Sequence, residues 1–465
     1  MSLIVFLIIS ILTVSLTSWV MRKMLLEGKW EYAIFFVLYY LPFYVTGLGL
    51  VYLGSRLPVM VQVFQYLKEL VIFSAILSFI LYQKNLWRFP IRLHKVDILF
   101  LLFLGLGFLY MVLPLGGATF LNKAVYYKNM LMPGLIYFLA RNTQFDDQEA
   151  NKLFNGIFTI AILAFVVNVG EFLIGTHLQS HTGFALFQQD IKDTDPSGNF
   201  GLTWTFETQA ITRRFASFFA DPLELASSVL LGFSAGLIWF LTSKRTDWTL
   251  YGFVMFASFA SLLFSASRAA FVSFFVMIFF IAVIFRLYRL IMVGGFMFLL
   301  FVVYVLVFAS EDFYYFVIDT LTFENSSSVG HVVEWVLALD SMIADPLGVG
   351  LAMSGNVGAV EDELRIGGEN QYLIYGVQLG WIGMFLYILI LAVGITTSIK
   401  VFRESDNIMT ARIAFVAAAV KVGLILPLFT ANAELYSYVA WMSWWMVGYA
   451  VNADQKIKYQ QAIQE

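Results

Sequence analysis

The chain of 465 residues contains no cysteine, four histidines and few charged residues. The absence of cysteine excludes disulfides, thiol catalysis and cysteine-ligated metal sites. No glycine loop ending in Gly-Lys-Ser or Gly-Lys-Thr is present, which argues against ATP-driven transport by this chain alone. Charged residues make up only 13% of the sequence, about half of their share in an average soluble domain. A soluble globular fold is therefore excluded.

Apolar side chains dominate what is present: 60% of the residues are hydrophobic and 18% are aromatic. Repeated apolar runs of about 20 residues are each long enough to cross a bilayer as a helix. The sequence therefore predicts an all-α, polytopic integral membrane protein with about 12 to 14 transmembrane helices in one transmembrane domain, 1–465. The predicted spans are 2–20, 32–52, 58–82, 97–117, 121–140, 153–175, 215–243, 249–265, 269–285, 290–310, 371–398, 413–432 and 437–453.

Basic residues cluster in alternate connections between these spans, which the positive-inside rule assigns to the cytoplasm. This register predicts an outer amino terminus and two longer extracytoplasmic loops, 176–213 and 311–369. The second loop contains a segment, His331 to Asp345, whose apolar residues recur at helical spacing. We expect this segment to form an amphipathic helix on the membrane surface.

Arg268 interrupts an apolar stretch that runs from about Trp248 to Phe285. An arginine at membrane depth is costly and usually faces a wet cavity at a functional site. A broken pair of helices meeting at the polar turn Ser-Ala-Ser-Arg268 is the favoured interpretation. The alternative is a short outer turn with an interfacial arginine.

Other polar residues also lie near predicted outer ends of spans. Asp221 would cap a helix starting at Pro222, and Glu369 directly precedes span 371–398. His177 and His181 are the only histidine pair at metal-ligand spacing, but two solvated loop histidines are the preferred interpretation. Gly380 and Gly383 are spaced for close helix packing.

Three motifs occur in order along the second half of the sequence. An arginine seven residues before an Asp-Pro step is met by Arg214 and Asp221-Pro222. The Ser-Arg-small-small turn is met by residues 267–270. The third pattern is met by Trp335, by Pro-Leu-Gly-Val-Gly at 346–350 and by Asn-Gln-Tyr-Leu at 370–373. In this order and spacing the three motifs resemble those of the O-antigen polymerase and ligase superfamily of bacterial membrane glycosyltransferases.

Three positions depart from the family pattern. Glu369 stands where the ligases carry histidine, which favours a polymerase. His331 stands where many relatives carry arginine, and Leu223 replaces a common asparagine. The details of substrate contact at these positions therefore stay open.

The resemblance implies a GT-C-like fold in the bacterial cytoplasmic (inner) membrane, with its active site on the periplasmic or outer face. It implies transfer of glycan from undecaprenyl pyrophosphate to an acceptor hydroxyl, with inversion and without metal, cofactor or nucleotide sugar. The implied partners are the lipid-linked donor and acceptor oligosaccharides, membrane lipid and a chain-length regulator protein, with no nucleic acid.

Without a metal, cationic side chains must neutralise the departing pyrophosphate, and arginine is best suited to do so. Arg214 and Arg268 are the leading candidates for this role, and Arg213 and Lys128 are secondary ones. Glu369 is the candidate general base, with His331 as its alternative or its partner.

The functional prediction is a polymerase of O-antigen, capsule or exopolysaccharide. A ligase that transfers finished glycan to a lipid A core or a protein is the alternative. A lipid-linked oligosaccharide flippase or transporter is the second alternative, although it would be expected to carry more charge deep in its central spans.

Overall fold

The structure is a computed structural model that describes residues 2–83, 92–143, 145–208, 211–308, 311, 314, 318, 326–355 and 365–464. The first half of the described chain forms helices α1 Ser2–Glu27, α2 Ala33–Tyr40, α3 Tyr44–Ser55, α4 Pro58–Tyr82, α5 Lys95–Val112, α6 Phe120–Arg141, α7 Asp147–Ile174 and α8 Phe184–Lys192. The second half forms α9 Pro222–Thr242, α10 Trp248–Ser265, α11 Arg268–Ile284, α12 Tyr288–Val307, α13 Ser326–Ala344, α14 Gln371–Glu404, α15 Ile408–Gly423, α16 Ile425–Thr430 and α17 Ser437–Gln464.

The predicted all-α, polytopic membrane architecture is confirmed. Among the described residues, nine helical segments are long and apolar enough to cross a membrane. Two shorter apolar helices cover Arg268–Ile284 and Ile291–Val307. The more polar helices α6 and α17 pack against each other within the same bundle. Each of the thirteen predicted spans therefore contains a helix.

Polar side chains at helix starts explain where several of these helices begin. The Asp221 carboxylate accepts hydrogen bonds from the backbone N–H groups of Leu223 and Glu224, and Pro222 occupies the first turn. Asn370 caps α14 in the same manner. Predicted span 215–243 thus starts too early, because the cap at Asp221 sets the helix start and residues 215–221 lie outside the helix.

The core of the bundle lies where α9, α15 and α17 pack together. Trp444, Trp445 and Phe415 are among its fully buried side chains. By contrast, α1 and α12 expose apolar side chains along most of their length. Such surfaces suit contact with lipid chains, because a helix satisfies its own backbone hydrogen bonds in hydrocarbon.

Helix α14 is broken at Gly380, and the loop after α13 is docked into the break. Gly380 adopts φ 71°, a left-handed conformation that favours glycine. The Trp381 N–H donates to the carbonyl of Pro346 at 3.1 Å, and the Val349 N–H donates to that of Val377 at 2.8 Å.

The contact at the break leaves no room for side chains. A Cβ on Gly380 would lie 2.4 Å from the Pro346 carbonyl oxygen, and one on Gly348 would lie 2.4 Å from the Gly380 nitrogen. Gly380 therefore serves the docking of a loop rather than the helix packing that its spacing suggested. As a result, the end of α13 is fixed against the helix that begins just after Glu369.

Polar contacts join helix ends that the basic-residue pattern assigns to the cytoplasm. Arg412 donates through Nε to the Thr242 hydroxyl at 2.9 Å. Asp454 contacts Lys400 at 3.0 Å, His94 at 3.4 Å and Lys458 at 2.5 Å. These contacts agree with the predicted alternation of connections, while the side of the membrane they face stays a prediction.

Candidate functional site

Arg214 is held at the carboxyl end of α10. Its Nε–H donates to the Ser265 carbonyl oxygen at 3.0 Å, and its backbone N–H donates to the Phe206 carbonyl at 2.9 Å. The next residue, Phe215, pairs its N–H with the carbonyl of Phe264 at 3.0 Å. A guanidinium at this helix end meets free carbonyl groups and the negative end of the helix dipole.

Arg268 is the first residue of α11 and is exposed. Only Ala266 and Ser267 separate the two helices: Ala266 adopts φ 46°, and the Ser267 hydroxyl caps α11. The structure therefore has two short helices meeting at a polar turn, an arrangement that fits both the broken helix pair and the short outer turn.

The two arginines share one region of the surface. Burial lowers the pKa of the Arg214 guanidinium. The positive charge of Arg268 lowers this pKa further, whereas Asp221 and Tyr436 raise it. Arg214 therefore lies within electrostatic range of both a second cation and a carboxylate. Two guanidinium groups so placed attract an anion that carries more than one negative charge.

Glu369 and His331 form a direct pair. The Nδ1 atom of His331 contacts a carboxylate oxygen of Glu369. The imidazole also stacks on the Trp335 ring, with the ring centroids 6.3 Å apart. Both side chains keep access to solvent, at 27% for His331 and 47% for Glu369. A carboxylate in contact with an imidazole can accept a proton and orient the ring that holds it.

A small recess lies beside this pair, between α13 and the start of α14. Its lining includes Glu334, Trp335, Ser354, Glu369 and Asn370. The buried Asn370 accepts hydrogen bonds from the N–H groups of Tyr372 and Leu373, so the residue after Glu369 is fixed by the helix cap.

Tyr436 lies within electrostatic range of both Arg214 and Glu369. Burial raises the pKa of the Tyr436 hydroxyl well above its usual value. The carboxylates of Asp221, Glu224 and Glu369 raise this pKa further, whereas Arg214 lowers it. Arg214 and Glu369 therefore lie near one tyrosine. Sequence reasoning missed Tyr436, since its only signal was a place in the short connection between spans 413–432 and 437–453.

Arg213 and Lys128, the secondary candidates for binding the pyrophosphate, have other contacts in the structure. The Arg213 guanidinium stacks on the Phe200 ring within the first long loop, 4.4 Å from its centroid. Lys128 donates to Glu69 at 2.8 Å, from α6 to α4. Their assignment to the pyrophosphate stays a prediction, and neither contact requires it.

The prediction that His177 is a solvated residue is wrong. Its side chain is 1% exposed and lies against the rings of Phe200, Phe206 and Phe215. Burial, followed by the charge of Arg213, lowers the pKa of His177. This histidine therefore belongs to the packing of the first long loop, which sequence spacing does not reveal.

One comparison with known proteins bears on this arrangement. Residues 253–388 match a family model described as O-antigen ligase. The match includes Arg268, His331, Glu369 and the Gly380 break, whereas Arg214 and Tyr436 lie outside it. No curated protein matches the chain. The stretch 253–388 is thus similar to the O-antigen ligase family, and the helical architecture is that of a polytopic membrane protein.

Proposed function

We propose that this protein is a polysaccharide polymerase that extends a glycan on undecaprenyl pyrophosphate. The observation that supports it most is the arrangement around Tyr436, which lies within electrostatic range of both Arg214 and Glu369. Arg268 lies within electrostatic range of Arg214, and His331 contacts Glu369. The arginines supply positive charge for a pyrophosphate, and the pair supplies a proton acceptor. Both are needed for transfer of a sugar from a lipid pyrophosphate to a hydroxyl.

In the proposed step, the acceptor hydroxyl oxygen attacks C1 of the donor sugar and forms the new glycosidic bond. The bond from C1 to the pyrophosphate oxygen breaks, and its electron pair leaves with the undecaprenyl pyrophosphate. The hydroxyl proton passes to the Glu369 carboxylate. Attack opposite the leaving group inverts the configuration at C1.

Arg214 and Arg268 act on the leaving group in this step. Negative charge grows on the pyrophosphate as the bond breaks, and fixed guanidinium groups lower the energy of that state. Ser265 holds Arg214 through its carbonyl oxygen, so little reorganisation is needed at the moment of reaction. We place this chemistry on the outer face of the bacterial inner membrane, where the long loops are predicted to lie.

A ligase is the second candidate, because the matched family model is described as O-antigen ligase. The two functions share donor and leaving group, and they differ in the acceptor. In the proposed polymerase, Glu369 takes the place of the histidine that the ligase pattern carries.

Purified protein in proteoliposomes tests the choice. The proteoliposomes receive lipid-linked repeat units, with or without a lipid A core acceptor. A polymerase produces a ladder of longer lipid-linked chains without the core acceptor. Transfer that occurs only to the core, in single capping events, would contradict the proposal and establish a ligase.

A further inference from the structure

The chain enters helix α9 through a buried segment that is not helical. Residues 215–221 lie between Arg214 and the start of α9 at Pro222, and we call them the re-entry segment. Its residues 215–219 are all buried, with 7% exposure or less. Buried backbone N–H and C=O groups outside a helix must find other hydrogen-bond partners. The partners of the re-entry segment therefore decide its shape.

Side chains from two distant parts of the chain bind the carbonyl groups of the re-entry segment. The Gln179 side-chain nitrogen donates to the carbonyl oxygens of Ser217 at 2.7 Å and of Phe219 at 2.8 Å. The Thr46 hydroxyl, on α3, donates to the Phe218 carbonyl at 2.8 Å. Three successive backbone carbonyl groups are thus each satisfied by a side chain.

Glu171, in the last turn of α7, joins the same segment to the short helical turn that carries Gln179. One carboxylate oxygen accepts the Ser217 N–H at 3.0 Å, and the other accepts the Leu178 N–H at 2.8 Å. Glu171 is 4% exposed and Gln179 is fully buried. A buried carboxylate forms shorter and stronger hydrogen bonds with N–H groups than a neutral acceptor does.

The re-entry segment joins two residues of the candidate site. Arg214 directly precedes it, and Asp221 ends it as the cap of α9. The Phe215 N–H donates to the Phe264 carbonyl at 3.0 Å, next to the Ser265 carbonyl that holds the Arg214 guanidinium. A shift of the re-entry segment would therefore move this guanidinium relative to α10.

We propose that Glu171 and Gln179 are positioning residues for Arg214: they fix the re-entry segment and so hold the guanidinium where it meets the donor pyrophosphate. This inference rests on the proposed function, in which Arg214 stabilises the leaving group. Both side chains act through the backbone of the segment rather than by touching the anion. Their effect follows because a charge stabilises a transition state best when it is already in place.

A double-mutant cycle tests whether Gln179 acts through Arg214. The ligand is labelled undecaprenyl pyrophosphate, and the full chain binds it in lipid nanodiscs without any transfer reaction. Gln179→Met removes both donated hydrogen bonds at similar side-chain size. It should weaken binding by about tenfold to a hundredfold, as Arg214→Ala should. The double variant should bind within about twofold of Arg214→Ala alone, because a misplaced guanidinium and an absent one are then equivalent.

Two results of this cycle would overturn the proposal. Losses that multiply in the double variant would show that Gln179 acts independently of Arg214. Wild-type affinity in Gln179→Met would show that its hydrogen bonds do not matter for the site. Gln189→Met, at an exposed glutamine of α8, is the matched control and should bind the lipid normally.

Glu171→Gln keeps the test falsifiable if Gln179→Met folds poorly. Glutamine has the same size, but its amide nitrogen would face one of the two N–H groups that the carboxylate accepts. The amide of Ser217 or that of Leu178 should then exchange hydrogen about tenfold faster, while amides in α15 and α17 keep their protection. Unchanged exchange at both amides, or equal acceleration throughout the core, would overturn the proposal.

Binding and exchange are measured without chain growth, so the inference and the proposed function can fail separately. If chains grow in proteoliposomes but the cycle shows no coupling to Arg214, the positioning role is wrong while the function stands. If the coupling is found but no chains grow, the proposed function is refuted. Glu171 and Gln179 would then still position Arg214 for a lipid pyrophosphate.

Discussion

At the scale of single residues, Arg268 is the side chain whose role is easiest to isolate, because it is exposed at the start of α11. Arg268→Ala should lower polymer formation by about a hundredfold to a thousandfold, the usual cost of losing a preorganised charge-stabilising donor. Arg268→Lys should also be impaired, since an ammonium cannot reproduce the planar fork. Both variants are tested by their polymer yield in a strain that lacks the native gene.

Arg289→Ala is the control for loss of one exposed arginine. Arg289 lies in the first turn of α12, at the predicted cytoplasmic end. The Arg289→Ala variant should leave the polymer yield unchanged when it is present at the same protein level as the wild type. A near-normal polymer yield from Arg268→Ala would contradict the catalytic role and show that Arg268 is only an interfacial anchor.

The contact between His331 and Glu369 predicts unequal effects of replacing them. If Glu369 is the base, the imidazole only orients it, so His331→Gln should slow transfer less than Glu369→Gln does. Initial rates of chain growth with the purified variants provide the comparison. Nearly full activity in Glu369→Gln together with loss in His331→Gln would assign the proton transfer to His331 instead.

Sequence reasoning predicted the residues that lie in recognisable motifs and missed those that do not. Arg214 stands seven residues before the Asp221-Pro222 step, Arg268 follows a serine, and Glu369 precedes a helix-capping asparagine. Tyr436 lies within electrostatic range of Asp221, Arg214 and Glu369, which are far away in the chain. No local pattern encodes such proximity, and the burial of His177 was missed for the same reason.

At the scale of elements, the break in α14 is the feature that fixes the site. Gly380→Ala forces a side chain into a left-handed backbone and against the Pro346 carbonyl. Strain of this kind costs about 1–3 kcal/mol. We expect a lower unfolding temperature in detergent and reduced chain growth, because the loop after α13 would detach from α14.

Gly170→Ala is the matched control for this substitution. Gly170 lies within α7, and a Cβ there meets nothing within 4 Å. The exchange should leave the unfolding temperature unchanged or slightly raised, since alanine favours a helix. An equal loss of stability in both variants would contradict a special role for the break.

Helix positions were predictable because long apolar runs and end caps are local signals. The capping of α9 by Asp221 was predicted from the Asp-Pro step and is confirmed. The break at Gly380 was not predicted, because its cause is a loop that approaches from 30 or more residues earlier in the chain.

At the scale of the whole molecule, the site requires that both long loops face the same side of the membrane. The chain has no cysteine, so single cysteines can report topology directly. Asp193→Cys should react with a membrane-impermeant maleimide on intact cells, whereas Arg92→Cys, Arg245→Cys and Arg403→Cys should react only after lysis. A cysteine at Gly358 should also react, although that position lies outside the described residues. Protection of Asp193→Cys on intact cells would remove the basis for an outer site.

The architecture of the whole molecule was readable from hydropathy, since composition and span number depend on local apolar runs. The assignment of polar helix ends to two faces of the membrane, which comes from the alternation of basic residues, stays a prediction. Which helix ends come within electrostatic range of one another, as those near Tyr436, Asp221 and Glu369 do, depends on the packing of the assembled bundle.

The central claim is transfer of a lipid-linked glycan with Glu369 as the base, and Glu369→Gln tests it most directly. Glutamine keeps the size of the side chain and removes its basicity, which typically costs about a hundredfold to ten-thousandfold in rate. The measurement is the length distribution of lipid-linked glycan in a strain lacking the native gene, with Glu404→Gln at the far end of α14 as the control. The account predicts accumulation of single repeat units with little or no ladder for Glu369→Gln, and a normal ladder for the control. A full-length ladder from Glu369→Gln would contradict it.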